Sequence, residues 1–339
     1  MADNSALVSS IGTINNVSST PLALNTAYDT KYATYLKLFS GELFKAYESA
    51  TVAKGTVQNR QLKNGKSLQF IFTGRMTADY HVPGEPILGS GDPPVAEKTI
   101  VCDDLLISSA FVYDLDETLA HYSLRSEISK KIGHALAEAY DKKIFRTIAL
   151  AARSAHPITA SPGPEPGGSV IQIGAGNQYD AQKLVDAFFE AAAILDEKNL
   201  PKQGRTAVLA PRQYYALVSQ VDSNILNRDF GNNQGNLNSG QGLYQIAGID
   251  LKLSNNLPFQ AGTIAAVDGE NNTYSGAFAN HAGLIYQKDA AGVVEAIGPQ
   301  VQTTGADIKT MYQGDLIVGR LAMGAGTLNP AAAIEIQTA

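Results

Sequence analysis

An α+β fold is what this sequence predicts, on three observations. One long helical stripe occupies the middle third of the chain, short strand-like runs separated by turns fill the last third, and no strand–helix–strand rhythm repeats strongly enough for a doubly wound sheet. No internal repeat of fixed period is found either.

Residues 1–25 are rich in Ser, Asn and Thr, with Leu, Val and Ile scattered among them without a period. Such a segment buries itself poorly and reads as an arm, disordered or laid across a neighbour. From Ala27 to Ala50, Tyr28, Tyr32, Tyr35, Leu36, Phe39, Leu43, Phe44 and Tyr47 recur at helical spacing, interrupted at Ser40-Gly41.

The stretch QNRQLKNGKSLQF follows, from Gln58 to Phe70. Its GKS ends like a phosphate-binding loop, but Arg60 stands where that motif needs glycine, and SLQFIF after it is strand-like where the motif needs a helix. Asn64-Gly65 between two alternating runs instead predicts a hairpin turn, joining 52–62 to 67–73. The return path carries Pro83, Pro86, Pro93 and Pro94 before a single strand from Lys98 to Val112. A lone two-stranded ribbon is marginal in water, so residues 53–113 read as a protruding flap that needs a neighbour.

The strongest helix is expected from Ser123 to Arg153. Leu124, Ile128, Ile132, Leu136, Tyr140, Ile144 and Ile148 fall at four-residue steps, with Ala135, Ala139 and Phe145 widening the stripe. Ser123 or Ser126 with Glu127 supplies its start and Pro157 its stop. A second helix is predicted over Asp180 to Asn199, a buried strand over Thr206 to Ala210, and a third helix opening at Pro211. Residues 227–242 form a polar loop. Strands IDLKL, TIAAV, GLIYQ, VVEAI, DLIVGRLA and AAIEI then alternate with turns.

Composition narrows the function. Hydrophobic residues make 44% and charged residues 17% of the chain, against about a quarter charged in ordinary globular proteins. A large core accounts for this, as does a surface covered by other subunits. The net charge is −6, and no run of Lys or Arg exceeds the pairs Lys130-Lys131 and Lys142-Lys143, which argues against a direct grip on nucleic acid. The lone Cys102 excludes an internal disulfide framework and a cysteine zinc site. No stretch is long and apolar enough to span a membrane as a helix, and the N-terminus lacks the pattern of a signal peptide, so a cytosolic product is expected.

Little chemistry is expected. No GxSxG occurs, and the GSG at 89–91 lies in a proline-rich loop. Gly174-Ala175-Gly176 and Gly324-Ala325-Gly326 read as turns, because neither continues into a dinucleotide-binding pattern. His81, His121, His134, His156 and His281 show no metal-ligand spacing and read as structural, His134 at the edge of the long helix's apolar stripe. Asp103-Asp104 and the group Asp114, Asp116 and Glu117 could pair as acid and base or hold a cation. The latter group directly precedes a helix, where carboxylates serve the exposed amides, so the structural reading is favoured. No catalytic, cofactor or metal site is expected.

These residues resemble the major capsid protein of T7-like, short-tailed bacteriophages. YHVPGEPIL, then LLISSAFVYDLDETLAHYSLRSEISKKIGHALAEA with HYSLRSE at its junction, resembles that family's passage from flap into spine helix. IAGIDLKLSNNLP and the ending GRLAMGAGTLNPAAAIEI resemble its later strands. The resemblance implies the HK97 capsid fold: an N-terminal arm (1–35), an extended loop (53–113), a peripheral domain (36–52, 114–156 and 305–339) and an axial domain (157–304). It also implies hexamers and pentamers closing into an icosahedral virion shell around double-stranded DNA. A scaffolding protein and a portal would be partners during assembly, with or without a decoration protein, and there would be no membrane, no cofactor and no sequence-specific DNA binding. The contact with a neighbouring subunit is expected at Arg60, Lys63, Asn64, Gly65, Lys66, Phe70 and Phe72. An encapsulin-type nanocompartment shell of the same fold is the alternative.

Overall fold

The structure is a computed structural model that describes residues 51–338, except 77, 79, 85, 87–93, 116–123, 160–164, 221–244 and 304–305. The arm, the helical pattern over Ala27 to Ala50, His121, Asp116, Glu117 and the polar loop 227–242 lie outside the described residues.

In chain order the strands are β1 (Gln58–Gln61), β2 (Ser67–Thr73), β3 (Val95–Val101), β4 (Leu106–Tyr113), β5 (Ser169–Gln172), β6 (Arg205–Leu209), β7 (Gln245–Ile246), β8 (Ile249–Leu253), β9 (Thr263–Ile264), β10 (Gly276–Ala277), β11 (His281–Gln287), β12 (Ala291–Thr303), β13 (Gly314–Thr327) and β14 (Ala333–Gln337). The α-helices among the described residues are α1 (Leu124–Ala152), α2 (Ala181–Glu197), α3 (Pro211–Gln220) and α4 (Ala306–Tyr312). The chain divides into two compact units, one of residues 1–51, 104–140 and 296–323, the other of residues 52–103, 141–295 and 324–339.

In the first unit β13 pairs antiparallel with β4, from Gly314↔Tyr113 to Leu321↔Leu106. Gly314 is needed there, since a Cβ would lie 2.5 Å from the Val112 carbonyl oxygen. Four charges lock the neighbouring ends. Arg125 meets Asp315 at 2.8 Å and Asp114 at 3.4 Å, and Lys309 meets Asp315 at 3.0 Å and Asp114 at 3.6 Å. A shared network of this kind is worth more than isolated surface pairs.

The second unit is built on a six-stranded sheet ordered β5-β14-β11-β6-β8-β7. The amphipathic α2 covers it: Leu184, Phe188, Ala191 and Leu195 pack with Ala207, Leu209, Ile285, Ile334 and Ile336 in one core. Asp180 caps α2 by accepting from the Gln182 and Lys183 amides. β6 is buried at every residue, as a strand flanked on both sides should be. It runs parallel to β8, with α3 between them in the chain, so one crossover exists where the sequence showed no such rhythm.

α1 matches its expected bounds closely. Ile132, Leu136, Tyr140, Ile144 and Ile148 are all buried, whereas His134 is exposed. The helix stops at Ala152, before Pro157. Gly168 passes so close that a Cβ would lie 2.3 Å from the Ala152 carbonyl oxygen, and the Gly168 amide donates to the Ser154 carbonyl at 2.9 Å.

Just past the helix, Arg153 donates through Nε (2.6 Å) and a terminal nitrogen (2.5 Å) to the two oxygens of Glu335, which is wholly buried. His281 Nδ1 lies 2.6 Å from the same carboxylate. Burial pushes the Glu335 carboxyl up, but the Arg153 and His281 hydrogen bonds outweigh it and hold the group below its ordinary 4.5. In the same unit Asp141, also buried, accepts from the Val52 and Ala53 amides at 2.9 and 3.1 Å. Burial pushes its carboxyl up, against those hydrogen bonds.

The depressed Glu335 has a signed consequence for dissociated subunits. Its stabilisation should be complete above the ordinary carboxyl value and disappear as pH falls through the lowered folded value. Glu335→Gln should cost about 3 kcal/mol at neutral pH, with the gap to wild type closing on acidification. Denaturant titrations across pH measure that gap.

Candidate intersubunit surface

The ribbon is not the one the sequence suggested. Gly65 does take the left-handed conformation, at φ +90°, but it does not turn a hairpin between β1 and β2. β1 runs parallel to β12, from Gln58↔Gly292 to Gln61↔Glu295, and β2 pairs antiparallel with β3, from Ser67↔Val101 to Thr73↔Val95. The Cys102 amide donates to the Lys66 carbonyl at 2.8 Å, which puts GKS at the root of the ribbon and the proline-rich segment at its far end. A local Asn-Gly signal lost to pairing with β12, more than two hundred residues away in the chain.

The expected strand from Lys98 to Val112 also divides, into β3 and β4. Asp103 causes the break. Its buried carboxylate accepts from the Asn271 amide (2.9 Å), Asn272 Nδ2 (3.0 Å), Lys143 Nζ (3.0 Å) and the Tyr274 hydroxyl (2.7 Å). Burial, and then the Asp103 charge, pushes the Tyr274 hydroxyl far above the ordinary tyrosine range. Asp103 is therefore a structural residue, and Asp104 beside it is exposed.

The two faces of the β2–β3 ribbon differ. Strand alternation puts Leu68, Phe70, Phe72 and Ile100 on one side, where Phe70 and Ile100 pack with Val294 and Leu328 of the same chain. Arg60 lies over the Phe70 ring, 4.7 Å from its centroid, and Phe72 meets His156 edge to face. Glycines make this docking possible. A Cβ on Gly324 would lie 2.0 Å from the Val101 carbonyl oxygen, and one on Gly326 would lie 2.7 Å from Ile100. The Gly324-Ala325-Gly326 motif is thus a close approach inside β13, not a turn, whereas Gly174 and Gly176 are turn residues at φ +83° and +82°.

The opposite side carries Gln69, Ile71 and Thr73 from β2, facing Thr99, Glu97 and Val95 from β3. Ile71 is 70% exposed and Val95 60%, and beyond them Met76, Tyr80 and Val82 are exposed too. Of the residues expected to touch a neighbour, Phe70 is buried within its own chain and Phe72 partly so, while Arg60, Lys63, Asn64, Gly65 and Lys66 are exposed. The apolar row of Ile71, Val95, Met76, Tyr80 and Val82 was not singled out in the sequence. The alternation of SLQFIFT offered the signal, because one face of any ribbon must point away from its own core.

Among the described residues no group of His, Cys, Asp and Glu could hold a metal ion, and no helix is long and apolar enough to cross a membrane. What the surface offers is shape and apolar contact.

The family model for Gp10A-like major capsid protein matches residues 70–337. The chain belongs to this major capsid protein family. It is 27% identical over 320 residues to the major capsid protein of Escherichia phage T7, covering 89% of this chain and 91% of that one. With the major capsid protein of Enterobacteria phage T3 the identity is 25% over 328 residues, covering 89% and 91%. Among solved structures it resembles the capsid of cyanophage P-SCSP1u at 36% identity and a TM-score of 0.74, covering 86% of this chain and 88% of that one. The fold is therefore the HK97-like capsid fold, and the protein is a major capsid protein of a tailed-phage virion. The encapsulin alternative has less support, because these relatives are phage capsid proteins.

Gly324→Ala should loosen the docked ribbon. A Cβ cannot sit 2.0 Å from a backbone oxygen, so the strand must shift at a cost of about 2 kcal/mol. Gly298→Ala, with no atom within 4 Å of the added carbon, should leave stability unchanged. Thermal melts of the two subunits beside wild type check this.

Proposed function

We propose that this capsid protein forms hexamers and pentamers that close an icosahedral shell around double-stranded DNA, and that the outer row of the β2–β3 ribbon seats on a neighbouring copy. The supporting observation is the row itself: Ile71 and Val95 remain 70% and 60% exposed, although Phe70 and Ile100 on the other face of the same ribbon are buried. Burying a large aliphatic side chain is worth roughly 1.5–3 kcal/mol, so a repeated contact of this kind drives association. The exposed polar residues Lys63 to Lys66 at the root of the ribbon suit the hydrated rim that interfaces carry.

In this reading 1–35 is the N-terminal arm and 53–113 the extended loop. Residues 36–52, 114–156 and 305–339 form the peripheral domain, and 157–304 the axial domain. A scaffolding protein and a portal direct closure, and the role is structural, without catalysis. The net charge of −6 favours enclosing DNA without gripping it, since like charges repel.

Ile71→Asp places an unpaired charge in the contact, where desolvation penalises it. Its subunits should keep the wild-type circular-dichroism spectrum, while closed shells seen by electron microscopy fall about tenfold or more. Shells in normal number would remove the role given to the row.

A further inference from the structure

Within the second unit lies a polar cavity of about 430 Å³, lined by Arg75, His156, Glu165, Lys198, Asn199 and Asn329 among others. Lys198 is its most unusual member. The ammonium donates to the Gly167 carbonyl (2.7 Å), Ser169 Oγ (2.7 Å) and the Ala331 carbonyl (3.4 Å). All three are neutral oxygens, and among the described residues no carboxylate lies within ion-pair distance of it. Burial alone pushes Lys198 below the ordinary lysine range. A half-buried positive charge without a counter-ion is costly unless something negative approaches.

The rest of the lining has donors to spare. Both oxygens of Glu165 are already engaged by Arg75, one by its amide at 2.9 Å and one by Nε at 3.2 Å. That engagement leaves both terminal guanidinium nitrogens, on a side chain that is 57% exposed. His156 Nδ1 accepts from the Ile158 amide at 3.1 Å, so a neutral ring carries its proton on Nε2. Asn329 Oδ1 accepts from the Ala331 amide, which leaves its NH₂ as the available end. Two cations face one carboxylate, and Arg75, His156 and Asn329 each leave a donor available.

We propose that this cavity binds a compact oxyanion, a phosphate or carboxylate group, held by the Arg75 guanidinium and the His156 Nε2–H, with Lys198 as the fixed charge behind it. The guanidinium fork matches two oxygens of such a group. The oxyanion comes either free from solution or from an acidic side chain of a sister copy. Every lining residue belongs to one compact unit of one copy, so the site does not depend on the shell contact described above. Either can fail while the other stands.

Inorganic phosphate titrated calorimetrically into full-length subunits, at constant ionic strength set with chloride, tests the site. Saturable binding should appear and should weaken about tenfold or more in Arg75→Gln, which loses charge-assisted hydrogen bonds from an exposed residue. The same titration into assembled shells separates the sources. Binding to subunits and shells alike assigns a free oxyanion, and binding to subunits but not to shells assigns a side chain of the sister copy. No saturable binding to subunits, or equal binding by Arg75→Gln, would overturn the proposal.

Discussion

A ribbon of two strands cannot bury both of its faces, and this constraint governs the molecule. The inner face of β2 and β3 is closed by Val294 and Leu328 of the same chain. On the outer face Ile71 and Val95 stay exposed, and none of the described residues buries them. A two-stranded ribbon in water is marginal even when half covered. The membership in a capsid family gives the missing cover a source, since each subunit of a shell meets others of identical sequence and every exposed row faces a repeated opportunity for contact.

The surroundings of the ribbon are arranged to hold it in position without filling its outer side. Gly324 lets backbone approach backbone, and Gly326 makes room for the Ile100 side chain. Asp103 gathers four donors in the break between β3 and β4. At the far end Arg75 closes on Glu165 and Phe72 on His156. These are short-range devices within one unit, and they leave the aliphatic row pointing outward. Low overall charge fits the same end, because ions on a contact face must be desolvated before two copies meet.

Much of the architecture was legible in the sequence, and particular residues show why. The stripe from Ile132 to Ile148 wrote α1 almost to its ends, because a buried helix needs an apolar residue every three or four positions. Asp180 and Pro211 opened α2 and α3 through local capping chemistry. Non-local pairing was the blind spot. Asn64-Gly65 carried a true local signal, a left-handed glycine, yet β1 pairs with a strand far along the chain, and no short-range rule foresees that. Nothing in Lys98 to Val112 announced that Asp103 would be buried among Asn271, Asn272 and Tyr274. The glycines of β13 looked like turn chemistry because sequence alone cannot tell a bend from a close approach. For the proposed contact surface, the sequence singled out the same segment but favoured Phe70, which packs inward in its own chain.

The central claim is that the outer face of the ribbon is open in a single copy and covered in the shell. Hydrogen–deuterium exchange read on peptides covering 67–76 and 95–101, in dissociated subunits and in assembled shells, addresses it directly. Marked slowing on assembly at these peptides, greater than at the buried strand β6, is the result expected. Equal exchange in subunits and shells would mean that the row finds no cover on a sister copy, and the account would be wrong at its foundation.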